Sequence, residues 1–117
     1  MKKIWMLCAL LIAIPSYADH SRTKDGQPPH LWTGSKRIDG SIEACALKAE
    51  QTLNSLGFLH VSKSIYETET YFYGSLGNNR AGIHCTKVAG RTFVFGSVAG
   101  ADLKKVESLR NSIFGNF

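Results

Sequence analysis

The sequence lacks the short motifs that tie a chain to one chemistry. It has no Cys-x-x-Cys pair, no glycine-rich phosphate loop ending in Lys-Ser or Lys-Thr, and no serine in a nucleophile-elbow context. The four histidines show no metal-ligand spacing: His20, His30, His60 and His84. These absences argue against a thioredoxin-like redox pair, a nucleotide-binding loop and a zinc site. They give no reason to expect a metal or a cofactor.

Positive charge is sparse and scattered. Without Lys2 and Lys3, 12 basic residues stand against 9 acidic ones, which is a net charge of +3. Only Lys36-Arg37 and Lys104-Lys105 are adjacent basic pairs in that part of the chain. A nucleic-acid-binding stripe needs denser clustering of Lys and Arg. The charge pattern therefore predicts ordinary solubilising charge and no nucleic-acid partner.

The main apolar run, residues 4–14, is too short to cross a membrane, because a spanning helix needs about 20 residues. It follows Lys2-Lys3, and the small residues Ser16 and Ala18 come after it. A basic start, a short apolar core and small residues before a cleavage point are typical of a secretory signal peptide. We predict a signal peptide over residues 1–18, cleaved after Ala18. The mature protein would then be periplasmic or secreted, with no transmembrane segment.

Cysteine is scarce. Cys8 lies inside the predicted signal peptide, which leaves only Cys45 and Cys85 in the mature chain. Two cysteines in an oxidising compartment allow a single pairing. A bond between them would close a loop of about 40 residues and stabilise the fold by about 4 kcal/mol on the chain-entropy estimate. We predict this disulfide, with a redox or metal pair as the alternative.

Residues 19–40 are polar and rich in turn residues, so we predict an extended N-terminal arm there. Within the arm, residues 30–33 are expected to form a short extended segment that lays Trp32 on the core. The remaining residues, 41–117, are expected to form a single α+β domain, since their length suits one hydrophobic core.

The apolar periodicity changes twice along this domain. It predicts a helix over residues 42–56, with Ser41 as its N-cap and Gly57 just past its end. Four strands are predicted next, at residues 58–64, 67–74, 81–88 and 92–98. Ala99-Gly100 is expected to end the sheet, and a last helix to run from Ala101 to Gly115. The predicted fold is a two-layer α+β sandwich: helix, four-stranded antiparallel meander, helix, with both helices on one sheet face.

Two independent periodicities support the predicted disulfide. Cys45 belongs to the apolar stripe of the first helix. In the third strand Cys85 shares a face with Ala81 and Ile83, which is the natural core face. Both sulfurs are therefore expected to point into the space between helix and sheet.

The second sheet face is expected to be uncovered and aromatic. If Cys85 faces the helices, His84 faces away, and strand parity places either Tyr71 and Tyr73 or Phe72 beside it. Polar residues at a hairpin tip extend this candidate surface. The candidate binding residues are Tyr71, Tyr73, Asn78, Asn79, Arg80, His84, Phe93 and Phe95. The alternative is that strand curvature or the arm around Trp32 covers the face.

These features favour an exported, small, non-enzymatic binding or interaction module of the bacterial envelope, held by one disulfide. Its partner would be another protein or an envelope component, and a homodimer through the open sheet face is an alternative. A second hypothesis is a small periplasmic hydrolase using His84 with Arg80 or a tyrosine. A third is a copper carrier using the mature N-terminus around His20, together with His30.

Overall fold

The protein is described by a computed structural model over residues 26–117. The predicted signal peptide, its cleavage point at Ala18 and the N-terminal copper site around His20 all lie outside the described residues. The described residues form five strands and two helices in the following order. These are β1 (His30–Ile38), α1 (Ile42–Ser55), β2 (Leu59–Ile65), β3 (Glu69–Leu76), β4 (Asn79–Val88), β5 (Arg91–Gly100) and α2 (Leu103–Phe114).

Helix α1 begins and ends where its sequence predicts. The Ser41 side chain accepts a hydrogen bond from the backbone N–H of Ala44 at 3.1 Å, which satisfies one of the free donors at the helix start. Gly57 follows the helix with φ of +87°, a left-handed conformation that glycine adopts without steric cost. The predicted apolar stripe, including Cys45 and Leu53, is buried.

The strands form one antiparallel sheet with the order β1-β5-β4-β3-β2. The α+β class and the antiparallel sheet are confirmed, but the predicted count of four strands is wrong. Residues 30–38 are not simply an arm with a short extended piece; they form β1, which pairs with β5 along its whole length. Its residues are mostly exposed, so β1 lacks the apolar alternation that marks a half-buried strand.

The expected break at Ala99-Gly100 is also wrong, because both residues belong to β5 and pair with Leu31 and His30. Gly100 has a packing reason to be glycine. A Cβ there would clash with the side chain of Asn79 and approach Val106 of α2 at 3.0 Å. The glycine at this position therefore allows α2 to approach the sheet closely, and it does not form a turn.

Both helices contact the sheet face that carries Cys85. Helix α1 is joined to β4 on this face by the Cys45–Cys85 disulfide, with a Cα–Cα separation of 6.1 Å. Helix α2 lies over β1 and β5, where a Cβ at Gly96 would be 3.1 Å from the Phe114 ring. The predicted disulfide is therefore confirmed, and it links the helix layer to the middle strand of the sheet.

One core fills the space between the layers. Its largest fully buried side chains come from α1, β3, β4, β5 and α2: Leu53, Phe72, Ile83, Val94, Val98, Val106 and Ile113. Trp32 of β1 packs against the edge of this core, as the sequence predicts. Neither helix within residues 26–117 is long and apolar enough to cross a membrane.

Candidate functional site

The sheet face turned away from the helices, named here the open face, carries the aromatic candidates. The register pairs Tyr71 of β3 with His84 of β4, and His84 with Phe95 of β5. Because paired residues in neighbouring strands share a face, these three side chains form a row across the centre of the sheet. The choice left open by parity is resolved, since Tyr71 and Tyr73 lie on this face while Phe72 is buried in the core.

The rings of this row are in contact. Tyr71 and His84 are stacked, with ring centroids 4.1 Å apart and planes 7° apart. The His84 ring lies 5.9 Å from that of Phe95, which is itself 6.4 Å from Phe93. Tyr66 meets Tyr71 edge-on at 6.1 Å. These separations fall in the range of favourable aromatic pairs, so the row is a packed surface rather than a set of separate side chains.

A carboxylate lies at one edge of the row. The Tyr71 hydroxyl donates to Glu69 Oε2 at 3.4 Å, and Glu69 Oε1 is 3.4 Å from Nε2 of His84. This Nε2 atom is buried and has no hydrogen-bond partner in the described part of the chain, so the imidazole contacts Tyr71 through stacking. Partial burial, followed by the charge of Glu69, raises the pKa of Tyr71. The phenol is therefore kept in its protonated form.

A shallow depression of about 430 Å³ lies next to the row. Gly82 is part of its lining, and a Cβ at this position would come within 3.2 Å of the Tyr73 ring. Tyr73 and Phe95 line the depression and are 42% and 41% exposed. Hydroxyl and imidazole groups complete the lining, from Thr33, Ser35, His84 and Ser97. The depression thus combines apolar ring surface with hydrogen-bonding groups.

Trp32 does not cover this face. It pairs with Val98, whose side chain is buried in the core, and it packs against that core from the helix side. The alternative in which the arm folds over the aromatic residues through Trp32 is therefore wrong. Within residues 26–117 the open face carries no helix, since both helices contact the opposite face.

The structure separates the three candidates at the hairpin tip. Asn78 is exposed in the two-residue turn that joins Leu76 to Asn79. The Asn79 amide donates to the carbonyl of Leu76 at 3.1 Å, and its side chain lies beside Gly100 on the helix side. Arg80 is exposed and shares the parity of His84. Only Arg80 therefore belongs to the open face.

The groups required by the hydrolase hypothesis are only partly assembled. Arg80 and His84 lie four residues apart on one strand, a separation of about 13 Å at 3.3 Å per residue. His84 contacts Tyr71 by stacking rather than through a hydrogen bond. Cys85, next to His84 in sequence, is held in the disulfide and points to the opposite face. No cluster of three or more His, Cys, Asp or Glu residues that could hold a metal ion occurs among residues 26–117.

Sequence reasoning missed Glu69 and Gly82 as parts of this surface. Both are placed by the register of β3 and β4, which the two-residue turn at Gly77-Asn78 sets. The sequence predicts a longer connection there, between the predicted strands at residues 67–74 and 81–88. Pairing the ends of these two strands, Gly74 with Ala81, would have pointed to Tyr71 opposite His84, with Glu69 one step along the same face.

No known protein family matches this chain, and no curated protein is significantly similar to it. The class of this protein is therefore described from its fold and its surface alone. Residues 26–117 form a small α+β domain with one disulfide and an aromatic sheet face that neither of its helices covers.

Proposed function

We propose that this protein is an exported, non-enzymatic binding module of the bacterial envelope that contacts its partner through the open face. The observation that carries the proposal is the depression at the centre of this face, where the rings of Tyr73 and Phe95 are each about two fifths exposed. Large aromatic side chains that are half exposed at a concave site are typical of the centres of protein interfaces.

The packed row beside the depression would lower the entropic cost of binding. Stacking of Tyr71 on His84, together with the Glu69 carboxylate, restrains side chains that would otherwise be immobilised only on association. Ordering a free side chain at an interface costs roughly 0.5–1.5 kcal/mol. A surface that is already ordered retains more of its contact energy as affinity.

The disulfide supports the export part of the proposal. Bonds of this kind persist in oxidising compartments and are rare in the cytosol. The Cys45–Cys85 pair bridges the two layers of the fold, so it serves structure rather than redox catalysis. This agrees with the signal peptide predicted for residues 1–18.

The lining of the depression indicates a partner that offers both apolar and hydrogen-bonding groups. Tyr73 and Phe95 present ring surface, while Thr33, Ser35 and Ser97 present hydroxyl groups. A protein side chain or an envelope component with a mixed surface would match this lining. A second copy of the chain, docked face to face, is the alternative occupant.

Affinity capture with the mature protein from the native envelope tests the proposal. The wild type is compared with Tyr73→Ala and Phe95→Ala, and with Leu103→Ala, a matched control that removes an exposed apolar side chain from α2. We expect one defined partner with the wild type and the control, and at least a tenfold loss with both open-face variants. Capture of the same partner by all four proteins would reject the open face as the site.

A hydrolase centred on His84 is a second candidate, favoured by one observation. Glu69 lies 3.4 Å from Nε2 of His84, and a carboxylate that forms a hydrogen bond with a histidine can orient the imidazole for general base catalysis. Turnover of a panel of chromogenic esters, abolished in His84→Ala and unchanged in Leu103→Ala, would support this candidate. Absence of turnover, or turnover that survives His84→Ala, would leave the binding module.

A further inference from the structure

Strand β2 forms one free edge of the sheet. The strand order ends at β2, and no other strand within residues 26–117 pairs with its outer side. The only irregularity lies between Leu59 and Ser62, so the second half of the strand keeps a regular register with β3 up to Ile65. A regular free edge offers unpaired backbone donors and acceptors to another extended chain.

The hydrogen-bond pattern identifies which groups are free. The N–H of Tyr66 donates to the carbonyl of Glu69 at 2.8 Å, next to the paired residues Ile65 and Thr70. Bonded and non-bonded pairs alternate in an antiparallel ladder, so Ser64 bonds inward as Tyr66 does. Lys63 and Ile65 therefore direct their N–H and C=O groups outward, away from β3.

The same two residues border an apolar groove of about 280 Å³, named here the β2 groove, between β2 and α1. Lys63 and Ile65 line it from the strand, and Ala46 and Leu47 line it from the helix. Ile65 is 67% exposed and Leu47 is 57% exposed, so the apolar walls stand open to solvent. Added-strand residues opposite Lys63 and Ile65 would place their side chains in this groove, because directly paired residues share a face.

The rim of the β2 groove is acidic. Glu43, Glu50 and Glu67 line it, against a single ammonium group, Lys63, which lies 3.7 Å from Glu50. The excess of carboxylates favours a basic occupant. A second copy paired edge to edge through β2 would instead bring two sets of these carboxylates together, so the charges oppose self-association here.

We propose that β2 and the β2 groove bind an extended peptide as an added strand, apolar at alternate positions and carrying Lys or Arg beside them. Free backbone groups on Lys63 and Ile65 provide the main-chain bonds, the groove takes the alternate side chains, and the acidic rim selects for basic residues. This site lies on the helix side of the sheet and at its edge, apart from the open face. It goes beyond the proposed function and does not depend on it.

A displayed library of random peptides, panned against the mature protein, supplies the probe. We expect the selected peptides to alternate apolar residues and to contain Lys or Arg. The strongest one, made synthetically, is titrated by fluorescence anisotropy. With the peptide bound, amide hydrogen exchange should slow at Lys63 and Ile65, whereas the Ser64 amide, already bonded to β3, should change little.

Variants separate the backbone contribution from the groove. Ile65→Pro removes one outward N–H and no bond to β3, and Leu47→Gln makes the apolar wall polar without adding a charge. Each variant should lower the affinity for the peptide at least tenfold, as should the double charge reversal of Glu43→Lys with Glu50→Lys. Phe95→Ala on the open face should bind it as the wild type does. Should Ile65→Pro fail to fold, Leu47→Gln and the exchange measurement carry the test.

Three results would overturn this proposal. Panning could enrich no peptide, or peptides that bind Ile65→Pro and Leu47→Gln as tightly as the wild type. The exchange of Lys63 and Ile65 could stay unchanged in the complex. The protein alone could form a dimer that Ile65→Pro dissociates, which would assign the edge to a second copy of the chain.

Discussion

The imidazole of His84 lies flat on the phenol of Tyr71, with 4.1 Å between ring centroids. The two residues face each other across β3 and β4, and Glu69 approaches both of them. This contact fixes the centre of the open face, because the neighbouring rings of Phe95 and Tyr66 pack on either side of it. The stacked pair therefore links the register of the hairpin to the shape of the surface.

The raised pKa of Tyr71 predicts a loss of stability at alkaline pH. The folded state holds the phenolic proton more tightly than the unfolded chain, whose tyrosine pKa is about 10. The stabilising contribution is complete below that pH and is lost as pH rises through the folded pKa. Urea unfolding at a series of pH values should show a smaller alkaline decline for Tyr71→Phe than for the wild type.

A charge-removing control accompanies this measurement. Glu69→Gln should lower the pKa of Tyr71, followed by NMR of its ring, yet leave it above the ordinary value because the effect of burial remains. An alkaline decline that is identical in the wild type and Tyr71→Phe would contradict the assignment.

The two exposed rings that line the depression should contribute less to stability than a ring of the core. Tyr73→Ala and Phe95→Ala remove rings that are 42% and 41% exposed, and each should cost about 1 kcal/mol or less of the free energy of unfolding. Phe72, next to Tyr73 in the sequence, is 1% exposed, so Phe72→Ala should cost about 3–5 kcal/mol of the free energy of unfolding. Chemical denaturation of the three variants checks the contrast. Equal losses would mean that the open face is part of the core.

Removal of the disulfide should destabilise the protein strongly. Cys45 and Cys85 are 40 positions apart, so the double variant Cys45→Ala with Cys85→Ala should lose about 4 kcal/mol on the chain-entropy estimate. Urea denaturation of this variant and of the oxidised wild type gives the difference. The reduced wild type should behave like the double variant. An unchanged denaturation midpoint would contradict the estimate, because it would show that the bond does not stabilise the protein by restricting the unfolded chain.

The ring of Phe114 should make Gly34 intolerant of a side chain. A Cβ at Gly34 would lie 2.7 Å from Cε2 of Phe114, and its strand partner Gly96 is nearly as close to the same ring. Gly34→Ala should therefore cost about 1–3 kcal/mol as an overpacking change. Ser35→Ala, the next residue on the opposite face, should stay within about 0.5 kcal/mol of the wild type.

A double-mutant cycle identifies the cause. In a Phe114→Ala background the cost of Gly34→Ala should largely disappear, which is a coupling of about 0.5–3 kcal/mol between the two positions. If the losses of stability from Gly34→Ala and Phe114→Ala simply add, the cost of Gly34→Ala does not come from a clash with the Phe114 ring.

The amphipathic elements of this fold could be predicted from the sequence. Helix α1 carries an apolar stripe and a Ser41 cap, and β4 alternates buried and half-exposed residues around Cys85, so both sulfurs could be assigned to the interior. The same alternation placed His84 on the opposite face. These features depend on local periodicity, which a single sequence displays directly.

The parts that depend on partners distant in the chain could not be predicted. Strand β1 is an exposed edge strand in which Gly34 lies under the ring of Phe114. The residues near Gly34 in the sequence give no sign of this contact. The sequence predicts a break at Gly100, because the reason for this glycine, the approach of Val106, lies in another element. The depression on the open face likewise required the register, which placed Gly82 beside Tyr73.

Among the strands of residues 26–117, β1 is the first to be synthesised and the last to gain a strand partner. Its partner β5 is the last of these strands, and His30 pairs with Gly100 at the far end of β5. A polypeptide delivered from its amino end therefore presents nine residues with unsatisfied backbone groups until almost the whole domain has emerged. Cleavage in the turn between β4 and β5, followed by loss of the segment after it, would leave β1 without its strand partner.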